Sequence, residues 1–326
     1  MRAQIFFLSN IPIDMSLISL GTMAFDELET PFGQSGKVIG GSATYIAYAA
    51  SILGNDVRQI SIVGNDFPEQ ELEDLRKRGV ATEGVQVVKD QKSFFWKGRY
   101  HLDMNTRDSL ATELNVLADF NPVVPESYQS SAFLMMGNLH PSTQKSVIRQ
   151  MKTKPRLIML DTMNFWMDTA WDELMDVLKL VDVLVINDSE ARQLSSEYSL
   201  VKAARKILAM GPSTLIIKKG ENGALLFSEG QIFFAPALPL EAVFDPTGAG
   251  DTFGGGFVGY LAKTNDISFD NMKRAIILGS ALASFCCEKF GTERLKEVTV
   301  HDLRERVKEF VRLVDFHIDI EEGPIQ

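Results

Sequence analysis

The sequence predicts an α/β protein whose central, mostly parallel sheet is flanked by helices, with a small β-sheet set apart as a lid. Three observations carry that expectation. Apolar, β-rich runs alternate with stretches of helical period along most of the 326 residues. Runs such as "DVLVI" and "TLIIK" are nearly continuous in apolar residues, as strands covered by helices on both faces must be. Two stretches interrupt the alternation with strands alone.

Residues 1–16 read as an appendage, because "MRAQIFFLSNIPID" has a single basic residue and a broken apolar run, unlike a secretory leader. Met15 opens the core, and N-terminal mass analysis of the native protein shows whether translation begins there. Residues 17–316 read as one domain, with no repeat, low-complexity tract or linker, and 317–326 as a tail. Within the domain, "QISIVG" precedes "EQELEDLRKRG", "SAFLMMGN" precedes "PSTQKSVIRQMK", "RLIMLDTM" precedes "WDELMDVLKLV", and "VDVLVIND" precedes "SEARQLS". Each pair is a strand followed by a helix. Residues 85–118 read as successive strands without a helix; with residues 21–40 they are the expected lid, and the aromatics Phe94, Phe95, Trp96 and Tyr100 read mainly as packing. "KKGENGALLFSEGQIFFAPA" reads as hairpins closed by glycine turns. From Pro246 onward three helical segments are expected, the last starting near Thr299.

Composition excludes several function classes. A net charge of -10 with no Lys/Arg cluster lacks the electrostatic footprint of a nucleic-acid binder. Two adjacent cysteines and four scattered histidines give neither a disulfide framework nor a zinc site, which fits a reducing cytoplasm. No apolar run approaches the roughly 20 residues of a membrane span.

The stretch "FDPTGAGDTFGGGFVGYLA", residues 244–262, holds six glycines and two aspartates and then turns helical. Asp245 precedes proline and is biased toward an extended backbone. "TGAG" can then expose successive N–H groups where a helix starts, at about Asp251, and such a mouth holds an anion without a basic side chain. Phosphate is the leading candidate. Phosphoryl transfer needs charge stabilisation, here by Gly248, Ala249 and Gly250, and a group to orient and deprotonate the attacking hydroxyl, here Asp251. The simpler reading is an aspartate at a helix start, which leaves the other glycines unaccounted for. A dinucleotide-binding fingerprint is the rival, but the run lacks the G-x-G-x-x-G phase.

"DPTGAGDTFGGGF" resembles the C-terminal signature of the ribokinase-like, PfkB-type carbohydrate kinases, and "GGSATYIAYAASILG", residues 40–54, resembles their N-terminal signature, in the family's order. The resemblance spans roughly residues 17–316 and implies a ribokinase-like fold, ATP as phosphoryl donor, and Mg²⁺. It places Gly40 and Gly41 at the sugar site, with Tyr45 where many members have Asn, so that a ring there is open to stacking on a base or sugar face. Asp26 matches the family's acceptor-binding aspartate, suited to two neighbouring hydroxyls. Asn138 matches a polar substrate contact. Asn187 and Glu190 match the N-x-x-E motif that organises Mg²⁺ through water; the plain alternative is a turn capped by Asp188 or Ser189. Lys218, Gly220 and Gly223 fall beside the nucleotide, with Ser280 where an Asn often stands near adenine. Asp245 and Thr247 match positions that bind a monovalent cation such as K⁺ in some relatives.

The resemblance also implies a lid that closes over the substrate and pairs with a second subunit's lid. The function expected is therefore ATP-dependent phosphorylation of a hydroxyl on a sugar or nucleoside. A nucleoside kinase calls for an aromatic slot at Tyr45 and the lid. A phosphosugar kinase calls for basic side chains, for which Lys97, Arg99 and Arg107 are available. A non-catalytic nucleotide-binding regulator is disfavoured by the intact "GAGD", and a dehydrogenase is disfavoured most.

Overall fold

The computed structural model describes residues 15–315. The expected tail and nearly all of the appendage lie outside them. Along the chain run β1 (Leu17–Leu20), β2 (Ala24–Thr30), β3 (Gly33–Gly40), α1 (Ser42–Ile52), β4 (Val57–Gly64), α2 (Glu69–Lys77), β5 (Val80–Val88), β6 (Phe94–Tyr100) and β7 (Arg107–Glu113). Then come β8 (Phe133–Met136), α3 (Pro141–Gln150), β9 (Leu157–Asp161), α4 (Asn164–Thr169), α5 (Trp171–Leu178), β10 (Val183–Asn187), α6 (Asp188–Ser195), α7 (Leu200–Leu208) and β11 (Thr214–Lys218). The remainder is β12 (Ala224–Ser228), β13 (Gln231–Ala235), α8 (Ala249–Thr264), α9 (Phe269–Cys286), α10 (Glu293–Glu297) and α11 (Val300–Val314).

A nine-stranded sheet has the order β13-β12-β11-β10-β9-β8-β1-β4-β5. Seven of its strands are parallel, and the β12–β13 hairpin adds two antiparallel strands at one edge. The continuous apolar runs have the expected cause. In β10, Val183 and Val185 enter one core while Leu184 and Ile186 enter the other, so a strand between two helical layers has no face left for polar residues. On one side lie α1, α8 and α9, with Ile46, Phe253 and Ile276; on the other lie α3, α5, α6 and α7, with Val147, Leu174, Leu194 and Ile207.

The second sheet has the order β3-β2-β6-β7 and is the expected lid. Residues 85–88, read with the lid, instead end β5 at the edge of the large sheet, parallel to β4. The expected three C-terminal helices are four, because the five-residue α10 precedes α11, whose start at the Thr299 cap agrees with the sequence. Among the described residues no helix is long and apolar enough to cross a membrane.

Candidate active site

Because β9, β10 and β11 are parallel, their last residues, Asp161, Asn187 and Lys218, meet at one edge of the sheet, the edge at which open α/β sheets bind ligands. Helix α8 opens beside them. Its entry is a turn in which the Ala249 N–H donates to the Pro246 carbonyl at 3.2 Å, with Gly248 at φ 74°, ψ -1°. That is a type II turn, whose third residue requires a positive φ. A Cβ on Gly248 would also overlap the Tyr45 ring. The turn's base is fixed by Asp245, whose carboxylate accepts the N–H of Thr247 at 2.8 Å and that of Gly291 at 2.9 Å.

This geometry corrects the expected three-amide anion site. The Ala249 amide is spent inside the turn, whereas those of Gly248 and Gly250 donate to no acceptor among the described residues. The helix starts at Ala249, two residues early, so Asp251 sits third in the first turn. Four of the six glycines serve packing: Gly255 and Gly259 seat α8 on Ile46, Ala49 and Ala50 of α1, Gly256 meets Gly279 of α9, and Gly254 faces Met135. Close packing of α8 accounts for those four.

Asp251 is ringed by charge. Burial, then the neighbouring Asp161 carboxylate, push its pKa up, against the pull of Lys218 and Arg107, to about 7. Sequence reasoning passed over Asp161. Its carboxylate pairs with Lys218 Nζ at 2.7 Å, and that ammonium lies 2.9 Å from where a Cβ of Gly250 would stand, at the helix mouth. Burial opposes the Lys218 charge, but Asp161 and Glu190 outweigh it and its pKa rises. The available signal was positional: Asp161 ends the buried run "LIMLD" as Asn187 ends "VLVIN".

Asn187 itself caps α6, a role expected of Asp188 or Ser189. Its Oδ1 accepts the Glu190 N–H at 2.8 Å, and Glu190 Oε2 accepts the Asn187 N–H at 2.7 Å. This capping box orients Glu190, 6% exposed, whose pKa burial raises to about 7 despite Lys218. Among the described residues no three acidic, His or Cys side chains converge as a direct ligand set for a metal.

Asp26, expected at the acceptor, is 5% exposed and lies over Gly40, where a Cβ would overlap its carboxylate. Burial, then Asp245 and Asp251, raise its pKa to about 8. An unfolded aspartate titrates near 3.9. Between those values the folded protein holds a proton the unfolded chain has lost, so this group's contribution to stability falls as pH rises from about 4 to about 8. Asp26→Asn removes that dependence: by thermal melts of the ligand-free protein, the variant is expected to be more stable than the wild type at pH 8, with a smaller gap at pH 5.5.

Tyr45 is placed differently from the expected open ring. It is 1% exposed, packed beneath the Gly248 turn, and its hydroxyl has no partner. Asn138 is engaged: Trp166 Nε1 donates to its Oδ1 at 2.7 Å, and its Nδ2 lies 3.0 Å from Met163 Sδ. In the lid, Lys97 pairs with Glu27 and Glu29, and Arg99 with Glu29, so only Arg107 of the three candidate bases turns its charge on Asp26, Glu190 and Asp251. Of the residues expected beside the nucleotide, Gly220, at φ 55°, lies against the Asn105 side chain of the β6–β7 loop; the Gly223 carbonyl accepts the Lys219 N–H at 2.8 Å; and Ser280 sits half-buried on α9.

A family model described as pfkB family carbohydrate kinase matches residues 2–298. The cytidine kinase of Thermococcus kodakarensis is 28% identical over 288 residues, 87% of this chain and 96% of that protein. The nucleoside kinase of Methanothermobacter thermautotrophicus is 25% identical over 327 residues, covering 91% and 96%. Among solved structures, the Methanocaldococcus jannaschii nucleoside kinase, an archaeal member of the ribokinase family, superposes with a TM-score of 0.73 at 18% identity, covering 90% of this chain and 98% of its own. An Escherichia coli putative ribokinase II in complex with ATP and Mg²⁺ gives 0.71 at 20% identity, with the same coverage.

Proposed function

We propose, for a chain that belongs to the pfkB family of carbohydrate kinases and moves a phosphoryl group from ATP to a sugar or nucleoside, that the acceptor is a nucleoside and that Asp251 receives its proton. The observation that carries the chemistry is the juxtaposition of two undonated amides, Gly248 and Gly250, with the Lys218 ammonium and the Asp251 carboxyl at the mouth of α8. The acceptor class rests on two relatives that match nearly end to end and on the pairing of Lys97 and Arg99 with Glu27 and Glu29, which leaves Arg107 alone of the three candidate basic side chains for a phosphosugar; it does not rest on a stacking slot at Tyr45, which the buried ring does not form.

Asp26 engages two neighbouring ribose hydroxyls, donating its own O–H to one while protonated and accepting from both once ionised, and leaves the primary hydroxyl to face Asp251. Asp251 orients that hydroxyl and takes its proton as the bond to phosphorus forms; a loose transition state lets the proton leave late, when the alcohol has become acidic. The amides of Gly248 and Gly250, with Lys218, stabilise the charge on the transferring phosphoryl oxygens. Glu190 would hold Mg²⁺ through water, with Asn187 fixing its orientation; this fits a cation that keeps several waters, and among the described residues no cage of direct ligands forms. When bound, Mg²⁺ neutralises charge on the phosphates. A monovalent cation such as K⁺, on the main-chain oxygens of Asp245 and Thr247, supplies no step of this reading.

The test is a panel of nucleosides, free sugars and phosphosugars with ATP and Mg²⁺, read by product mass. Nucleosides are expected to gain one phosphoryl group at the highest kcat/KM. A phosphosugar or free sugar as the best acceptor would overturn the assignment.

A further inference from the structure

Thr247, the residue before Gly248, is held at three points. Its N–H donates to Asp245 at 2.8 Å, its carbonyl accepts from Cys286 of α9 at 3.4 Å, and its hydroxyl is 3.0 Å from the Tyr100 hydroxyl. Asp245 and Cys286 belong to the body of the protein. Tyr100 alone belongs to the lid: it is the last residue of β6 and is 5% exposed, 147 positions from its partner. The chain just beyond it, closed by the His101 N–H to the Thr106 carbonyl at 2.9 Å, carries Asn105 onto Gly220. One end of one lid strand thus touches both the phosphoryl-holding turn and the nucleotide-side loop.

We propose that Tyr100 is a positioning residue that latches the lid to the turn, so that the Gly248 and Gly250 amides are aligned for transfer only while the lid is seated. This deepens the phosphotransfer reading and rests on it. The Tyr100 hydroxyl touches no reacting atom; it acts through Thr247. Misplacing the amides by about 1 Å costs as much as 10²-fold in rate. A turn aligned only under a closed lid also delays activation of the phosphoryl group until water is excluded.

Tyr100→Phe and Thr247→Val each delete one side of the contact and keep the packing. Each is expected to lower kcat with nucleoside about tenfold, to leave the KM for ATP within about twofold, and to raise the ratio of ATP hydrolysis to transfer. The double variant is expected to be no worse than either single one, and Thr247→Ser to retain activity. Losses that multiply in the double variant, or a loss confined to KM, would overturn the latch. Hydrogen exchange needs no turnover and so separates the latch from the kinase reading. In Tyr100→Phe, exchange is expected to rise together at residues 100–106 and 247–250; a rise in the lid segment alone would sink the proposal.

Discussion

Asp251→Asn is expected to lower kcat by about 10²–10⁴-fold, the range for loss of a positioned general base, while ATP binding stays within a few-fold of the wild type. Asparagine fills nearly the same volume but accepts no proton. Misfolding is not the expected cause. The wild-type carboxyl is held well above its ordinary pKa by burial and by Asp161, so a neutral isostere relieves an unfavourable charge. The Asp161–Lys218 ion pair does not involve the Asp251 side chain and is expected to persist in the variant. Calorimetric titration with ATP alongside steady-state turnover separates the two effects, and near-normal turnover would refute the role given to Asp251.

Gly248→Ala is expected to remove nearly all activity and to destabilise the fold. An L-residue in the left-handed region costs about 1–2 kcal/mol. The added methyl also overlaps the Tyr45 ring, an aromatic with no room to retreat at 1% exposure, and overpacking of this kind costs about 1–3 kcal/mol more. The turn can relieve that contact only by moving, which takes the Gly248 amide out of line; loss of one such donor is worth about 10²–10³ in kcat. Gly230→Ala is the control. Gly230 has nearly the same φ, 75°, in the β12–β13 turn, but a Cβ there meets nothing within 4 Å. It should lose only the backbone cost and keep full activity. Equal effects of the two substitutions on kcat would show that the Gly248 turn has no special part in transfer.

The sequence made legible whatever is encoded locally. Buried parallel strands announce themselves as apolar runs because both faces are covered, and the "PTGAGD" turn because proline, a positive-φ glycine and a helix mouth follow one another within six residues. Contacts between distant residues were not legible. The Asp161–Lys218 pair joins positions 57 apart, and nothing near either residue marks the other. Tyr45 looked available because its own helix cannot show that Gly248, more than 200 residues later, lies on its ring. Ala249 looked like a donor because a glycine-rich turn and an anion site use the same residues; only the 3.2 Å bond to Pro246 decides which amides remain. The short α10 and the placement of residues 85–88 in the large sheet were missed because neighbouring elements, not local pattern, decide them.

The most direct test is a single-turnover measurement, with enzyme in excess over ATP and saturating nucleoside, of the phosphoryl-transfer step in wild type and Asp251→Asn. The expected result is transfer slowed at least about 10²-fold with ATP fully bound. Transfer within a few-fold of the wild-type rate would contradict the assignment of the Asp251 carboxyl as the group that receives the acceptor's proton.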